Sequence, residues 1–356
     1  MQIDPSKVIR FLEKKVKPFF KFELPGRSKF SEDKIFKILA QMSIQNSYAE
    51  ATCNYQNGLS EAPSSDTFLR CIKKVDLKDI TKGFYFFNKK AIKSAKRQSL
   101  FLTPVPIAID WVDLMFYGDK NTEMIIGTQH KKGSNYAYRY MTASILRDQG
   151  RFVIAVVPFM QPDKEGLPKI IEEMLNEIKK EVKILHLLFD RGFYNIRLIS
   201  LLKKLNIKFM IHTPCNEVIK RVLQKTKLPF LIEYKSEAHG DYPKDNFNIL
   251  GLEWAEEKWF FATNINFDKK LQGVIEIFRK RWGIETSYRM VNQFLSKTTS
   301  KNYTIRMFYF FFACIMYNAW VLFNLLKSTI QKCLHIPVLF FKNLLLTLFL
   351  AQKNFG

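Results

Sequence analysis

Two apolar runs in this chain end in aspartate. PVPIAID sets Asp110 directly behind Ile107, Ala108 and Ile109, and LLFDRGFYN sets Asp190 behind Leu187, Leu188 and Phe189. A third acid, Glu285, lies in the helical pattern LQGVIEIFRKRWGIETSYRMVNQFL, and no Asp or Glu follows it. Carboxylates on rigid elements are the oxygen ligands that hard divalent cations take. Two Mg2+ ions roughly 4 Å apart can activate an attacking oxygen and stabilise a departing one when a phosphodiester is transferred. Such chemistry requires these acids to converge.

Each acid also has a plainer reading. Asp113 and Asp119 stand near Asp110, but residues three apart on a strand point to opposite faces, so Asp113 is expected to be a solvated strand-end residue. Asp190 could cap the helix that begins near Asn195. Gly192 is expected to free the turn between them. On its helix Glu285 shares a side with Phe278, Arg281, Tyr288, Arg289 and Asn292, and could merely join a surface ion-pair ladder. Ile277, Ile284, Val291 and Leu295 form a separate apolar stripe expected to pack on a sheet.

The chain has 356 residues, 56 Lys+Arg and 33 Asp+Glu, for a formal net charge of +23. A surplus this large favours a polyanionic partner, because each neutralised phosphate releases counterions. A membrane surface is the competing partner, and MFYFFFACIMYNAWVLFNLL, residues 307–326, is long enough to span a bilayer. Asn318 in its middle favours a helix buried within a core instead. The five cysteines form no CxxC pair, which argues against structural zinc and disulfides. MQIDPSKVIRFLEKK lacks the apolar core of a signal peptide, so a cytoplasmic location is expected. The histidines are scattered, with His186 reading as a core residue. GxxxxGKS and GxGxxG are absent, so neither ATP nor a dinucleotide is implied.

The elements that must position the acids follow from periodicity. Residues 1–100 read as helices, with Ser31 and Ser64 or Ser65 as caps. A capped helix carrying Arg70, Lys73 and Lys74 is compatible with helix-turn-helix DNA binding, or with any small helical bundle. From Val105 strands dominate (VPIAIDWV, MIIGTQ, YAYRYMTASIL, RFVIAVVPF), and helices then alternate with KILHLLFD and KFMIHTP. That order predicts an α/β fold, a mixed sheet flanked by helices. The expected divisions are a helical region at 1–100, a DNA-binding region on the helix-turn-helix reading, an α/β domain carrying the acids at 101–213 resumed at 271–330, a β-rich insertion at 214–270 and a C-terminal helical segment at 331–356.

AIDWVDLMFYGD, LLFDRGFYN and RWGIETSYRMVNQFLSKTTSKN…MYNAWVL together resemble insertion-sequence DNA transposases with an RNase H-like catalytic domain, in the group with a β-rich insertion before the catalytic glutamate. The resemblance spans residues from about 105 to 325. It implies that Asp110, Asp190 and Glu285 are the catalytic acids, binding two Mg2+ ions with Mn2+ as a substitute. It further implies double-stranded DNA as partner, both terminal inverted repeats and target, and a homodimer in a synaptic complex without a membrane, acting at the nucleoid. The group's signature of tyrosine, arginine, glutamate and lysine falls on Phe278, Arg281, Glu285 and Asn292, so its first and last positions are changed. Arg289 or Lys297 could replace the missing lysine. Arg281, Arg191, Lys131 and Lys132 are expected DNA contacts, and Trp254 or Trp259 could stack on a flipped base or simply cover the small sheet. The altered signature also fits a domesticated or inactive transposase-derived DNA-binding protein.

Overall fold

The computed structural model describes residues 5–24, 26, 28–131, 133–147, 150–159, 166–236, 244–266, 271–330 and 335–351, and the side chains of all of these except 5, 271–272, 282–285, 328–330 and 350–351. In chain order the main elements are α1 (Pro5–Phe11), α2 (Glu32–Gln45), α3 (Ala49–Leu59), α4 (Ser65–Lys73) and α5 (Leu77–Lys96). Then come β1 (Val105–Phe116), β2 (Ile126–Lys131), β3 (Ser134–Arg147), β4 (Gly150–Phe159), α6 (Gly166–Glu181), β5 (Ile184–Phe189), α7 (Ile196–Lys204) and β6 (Phe209–His212). The remainder is α8 (Glu217–Lys225), β7 (Phe230–Ser236), β8 (Asp245–Trp254), β9 (Glu257–Thr263), α9 (Leu271–Val291), α10 (Tyr303–Ile330) and α11 (Val338–Ala351). The chain divides into a helical unit (Met1–Leu100, Met115–Ala137, Thr286–Gly356) and a sheet unit (Phe101–Leu114, Tyr138–Glu285).

In the helical unit, local capping sets the helix starts. Ser31, Ser64 and Asp76 accept hydrogen bonds from Lys34, Thr67 and Lys78 backbone N–H groups, satisfying orphan donors at the heads of α2, α4 and α5. Helix α10 is apolar on all sides because it is the core of this unit. Phe308, Phe311 and Phe312 meet Phe20, Phe84 and Phe36 at ring separations of 4.7, 5.4 and 5.8 Å. Of its most apolar 18-residue window, 94% is buried in protein. Asn318, fully buried, donates to Asn88 Oδ1 at 2.9 Å. A span long enough for a bilayer is thus a protein-covered helix. Gly133, with φ of +80°, turns the chain between β2 and β3.

The sheet unit is built on strands in the order β3-β1-β5-β6-β9-β8-β7, with β4 also on β3. β1, β5 and β6 are parallel neighbours, while β9, β8 and β7 continue from β6 in antiparallel fashion. Near-continuous apolar runs at β1 and β5 are what strands covered on both faces require. Helix α6 packs on β4 and α7, and α7 reaches β8. The strands between residues 214 and 270 therefore extend the same sheet.

Candidate active site

The ladder places Ile109 opposite Phe189 and Phe189 opposite Ile211. In parallel strands held in that register, the next residue of each emerges at the same level. Asp110, Asp190 and His212 therefore form a row at the carboxyl ends of the paired segments, where open α/β sheets place ligands. Asp110 is 14% exposed and Asp190 42%. The backbone N–H of Trp111 donates to Asp110 Oδ1 at 2.8 Å. Its ring stacks on Phe193 at 4.5 Å with planes 7° apart, which fixes the chain on both sides of the row.

Arg281, on α9, joins the two acids. Its Nη1 lies 3.3 Å from Asp110 Oδ2 and its Nη2 3.2 Å from Asp190 Oδ1. The arginine is 6% exposed, and its guanidinium carbon sits 5.1 Å from the Phe278 ring centroid. Burying a guanidinium is costly unless carboxylates offset its charge, and here two do. On α9, Val274, Phe278 and Arg281 are buried; of the expected stripe Val291 is buried and Ile277 half-buried, and the Ile284 side chain lies outside the described residues. The helix packs with the face that carries the arginine. Phe278 lies against Phe261 at 4.6 Å, so a ring without a hydroxyl suits this position.

Asp113 departs from expectation. It is 13% exposed and is held by Arg139, whose Nε and Nη2 donate at 2.6 and 2.8 Å to its two oxygens. Asp190 makes no side-chain cap, and Asn195 Oδ1 caps α7 instead, accepting from Arg197 and Leu198 N–H groups. That leaves the Asp190 carboxylate for the row. Gly192 does not use the left-handed conformation, so the turn needs none of its freedom.

The transposase DDE domain family matches residues 103–319 of the chain. The protein is a DDE transposase. Its fold is similar to that of the solved piggyBac transposase synaptic complex with hairpin DNA, with a TM-score of 0.66 and 14% identity, over 100% of this chain and 82% of that one. No curated protein matches it. Enzymes of this family generally use divalent metal ions.

In the transposase, Asp110 and Asp190 supply hard oxygen donors from adjacent strands on either side of the Arg281 guanidinium, a donor set that suits such ions. Among the described residues no cluster of three or more ligands forms, and the Glu285 side chain lies outside them, although its backbone is one turn beyond Arg281 on α9. Lys132 also lies outside the described residues. Arg191, exposed, follows Asp190 directly. Arg70, Lys131, Arg289, Asn292 and Lys297 belong to the helical unit and are exposed. There, Asn292 O accepts from Asn46 Nδ2 at 3.0 Å, and the Lys297 ammonium sits 5.9 Å from the Tyr48 ring centroid. Both candidate tryptophans contact other side chains of the sheet unit. Arg279 covers Trp254 at 4.6 Å, and Trp259 stacks with Phe261 at 6.5 Å and meets His212 at 5.2 Å.

Sequence reasoning missed His212. Its Nδ1 is 4.0 Å from Asp190 Oδ1. Burial pushes its pKa below the ordinary histidine value; Asp190 pulls it upward, while Arg281 and Arg191 reinforce the drop. A neutral ring at neutral pH therefore adds no positive charge to the row. The signal was present in KFMIH, an apolar run that ends in His as LLFD ends in Asp.

Proposed function

We propose that this transposase cleaves the ends of its mobile element and joins the freed 3′-hydroxyls to target DNA, with Asp110, Asp190 and Glu285 holding two Mg2+ ions or, as substitutes, Mn2+. The observation that carries the reading is the in-register row of Asp110 and Asp190 bridged by one guanidinium. When bound, the ions supply Lewis-acid activation of the attacking oxygen and offset charge on the leaving one. The chain's own residues do the positioning. Two strands fix the carboxylates, Trp111 and Phe193 brace them, and Arg281 and Arg191 place positive charge where a phosphate arrives.

DNA grip is assigned to residues 1–100 with Arg70, and to Lys131, Lys132, Arg289, Asn292 and Lys297. The +23 charge supports a backbone-tracking surface of this kind. Base stacking on Trp254 or Trp259 would exchange an existing ring contact for a base. Terminal inverted repeats and target DNA are the expected duplex partners, two copies act together in a synaptic complex, and the site of action is the nucleoid.

The test is cleavage of a duplex carrying the element's end, in Mg2+, by wild type, Asp110→Asn, Asp190→Asn and Glu285→Gln. Each variant is expected to bind the duplex and fail to nick it. Wild-type cleavage by Glu285→Gln would remove that residue from the triad.

A further inference from the structure

Among the described residues the sheet unit contains two arginine–aspartate arrangements of different character. Arg139 closes on Asp113 with contacts of 2.6 and 2.8 Å, a two-point fork on one carboxylate. Arg281 instead divides itself between two acids at 3.3 and 3.2 Å, beyond the about 2.7–2.9 Å usual for such charged bonds. Its Nε is buried and, among the described residues, has no hydrogen-bond partner. The first arrangement is a clamp. The second is a cation held chiefly because two nearby carboxylates need one.

We propose that Arg281 is the exchangeable counter-ion of the carboxylate pair: it keeps Asp110 and Asp190 together until divalent cations take them, and so sets how tightly the site binds metal. This rests on reading Asp110 and Asp190 as metal ligands. Like charges repel strongly at such short range in a partly desolvated site. Metal entry therefore requires the guanidinium to release at least one carboxylate. A planar fork suits phosphate oxygens as well as carboxylates, so a DNA backbone at the site gives the displaced arginine a new partner. Metal and DNA then raise each other's affinity through one side chain, as reciprocal linkage demands.

The experiment is calorimetric titration of the full chain with Mn2+ alone, for wild type, Arg281→Gln, Arg281→Lys and Asp110→Asn, with thermal unfolding run in parallel. Arg281→Gln should bind Mn2+ about tenfold tighter or better, since the competing charge is gone. Its metal-free melting temperature should drop, and Mn2+ should restore it by more than it shifts wild type. Arg281→Lys should also bind tighter than wild type, because a point ammonium cannot span both acids; it decides the matter if the glutamine variant does not fold. Asp110→Asn should lose binding. If Asp110→Asn loses binding while neither arginine variant binds more tightly than wild type, the metal site stands and the exchange role is overturned. If Asp110→Asn binds Mn2+ like wild type, the metal-ligand reading itself fails.

Discussion

Asp110 and Asp113 lie three residues apart on β1 and meet different arginines: Asp110 shares Arg281 with Asp190, whereas the two oxygens of Asp113 accept from Nε and Nη2 of Arg139. The first arrangement gathers carboxylates and the second satisfies one. Their substitutions should separate accordingly. Asp113→Asn leaves a partly buried guanidinium short of charge and should cost roughly 2 kcal/mol in urea unfolding, with Mn2+ binding unchanged. Asp110→Asn should abolish Mn2+ binding. Loss of metal affinity in Asp113→Asn would place that acid in the site after all.

His186, 8% exposed on β5, should make the protein acid-sensitive in a defined range. Burial, aided by the charges of Lys208 and Lys280, lowers its pKa from 6.5 to about 4. The folded state resists the proton and the unfolded chain takes it, so this stability is fully present above about pH 6.5 and shrinks as pH falls toward about 4. A gap of this size corresponds to roughly 3 kcal/mol. Comparing unfolding free energies at pH 7 and pH 4.5, His186→Leu should lose less stability than wild type. An equal acid loss in both proteins would rule His186 out as the cause.

The placement of the two aspartates was legible because buried parallel strands leave a simple trace, an apolar run broken by one polar residue where the pairing ends. Asp110 and Asp190 show it plainly, and the apolar α10 could be read as a core helix from Asn318. What could not be read is partnership. Arg281 and Asp110 are 171 positions apart, and only the tertiary fold reveals that one guanidinium serves two acids. Asp113 looked solvated because its partner Arg139 lies on β3, a strand whose placement beside β1 no local pattern specifies. On α9 the apolar stripe pointed to Val291, which is buried, but apolarity alone could not show that Arg281 also turns inward to meet charge.

The strands after β6 are tied to the parallel part of the sheet by polar contacts as well as by pairing. Asp245, opening β8, accepts from Ser200 Oγ at 2.5 Å and from the Lys203 ammonium, both on α7. Burial alone would raise its pKa, but the bonds from Lys203 and Ser200 outweigh it and hold the carboxyl below the usual value. A depressed folded pKa stabilises above the unfolded value and is lost as pH falls through the folded one, so this tie should weaken only in strong acid. Asp245→Asn should cost about 1–2 kcal/mol at neutral pH and speed amide exchange in β7 and β8 more than in β1 and β5. Uniform exchange throughout the sheet would show that the tie is not local.

Within the helical unit, Asn318→Leu makes α10 more apolar and should nevertheless destabilise the protein. Asn318 and Asn88 bond to each other where both are buried, at 0% and 1% exposure. Removing one amide deprives the other of this bond inside an apolar core, which costs about 1–3 kcal/mol. A helix whose role was to sit in lipid would respond in the opposite sense, since exchanging an amide for leucine favours the bilayer. The measurement is urea unfolding of Asn318→Leu in detergent-free buffer, with Asn88→Leu/Asn318→Leu beside it. Replacing both amides should recover part of the loss, because neither is then left without the other. If Asn318→Leu matches or exceeds wild type in stability, the pair contributes nothing to holding α10 in the core.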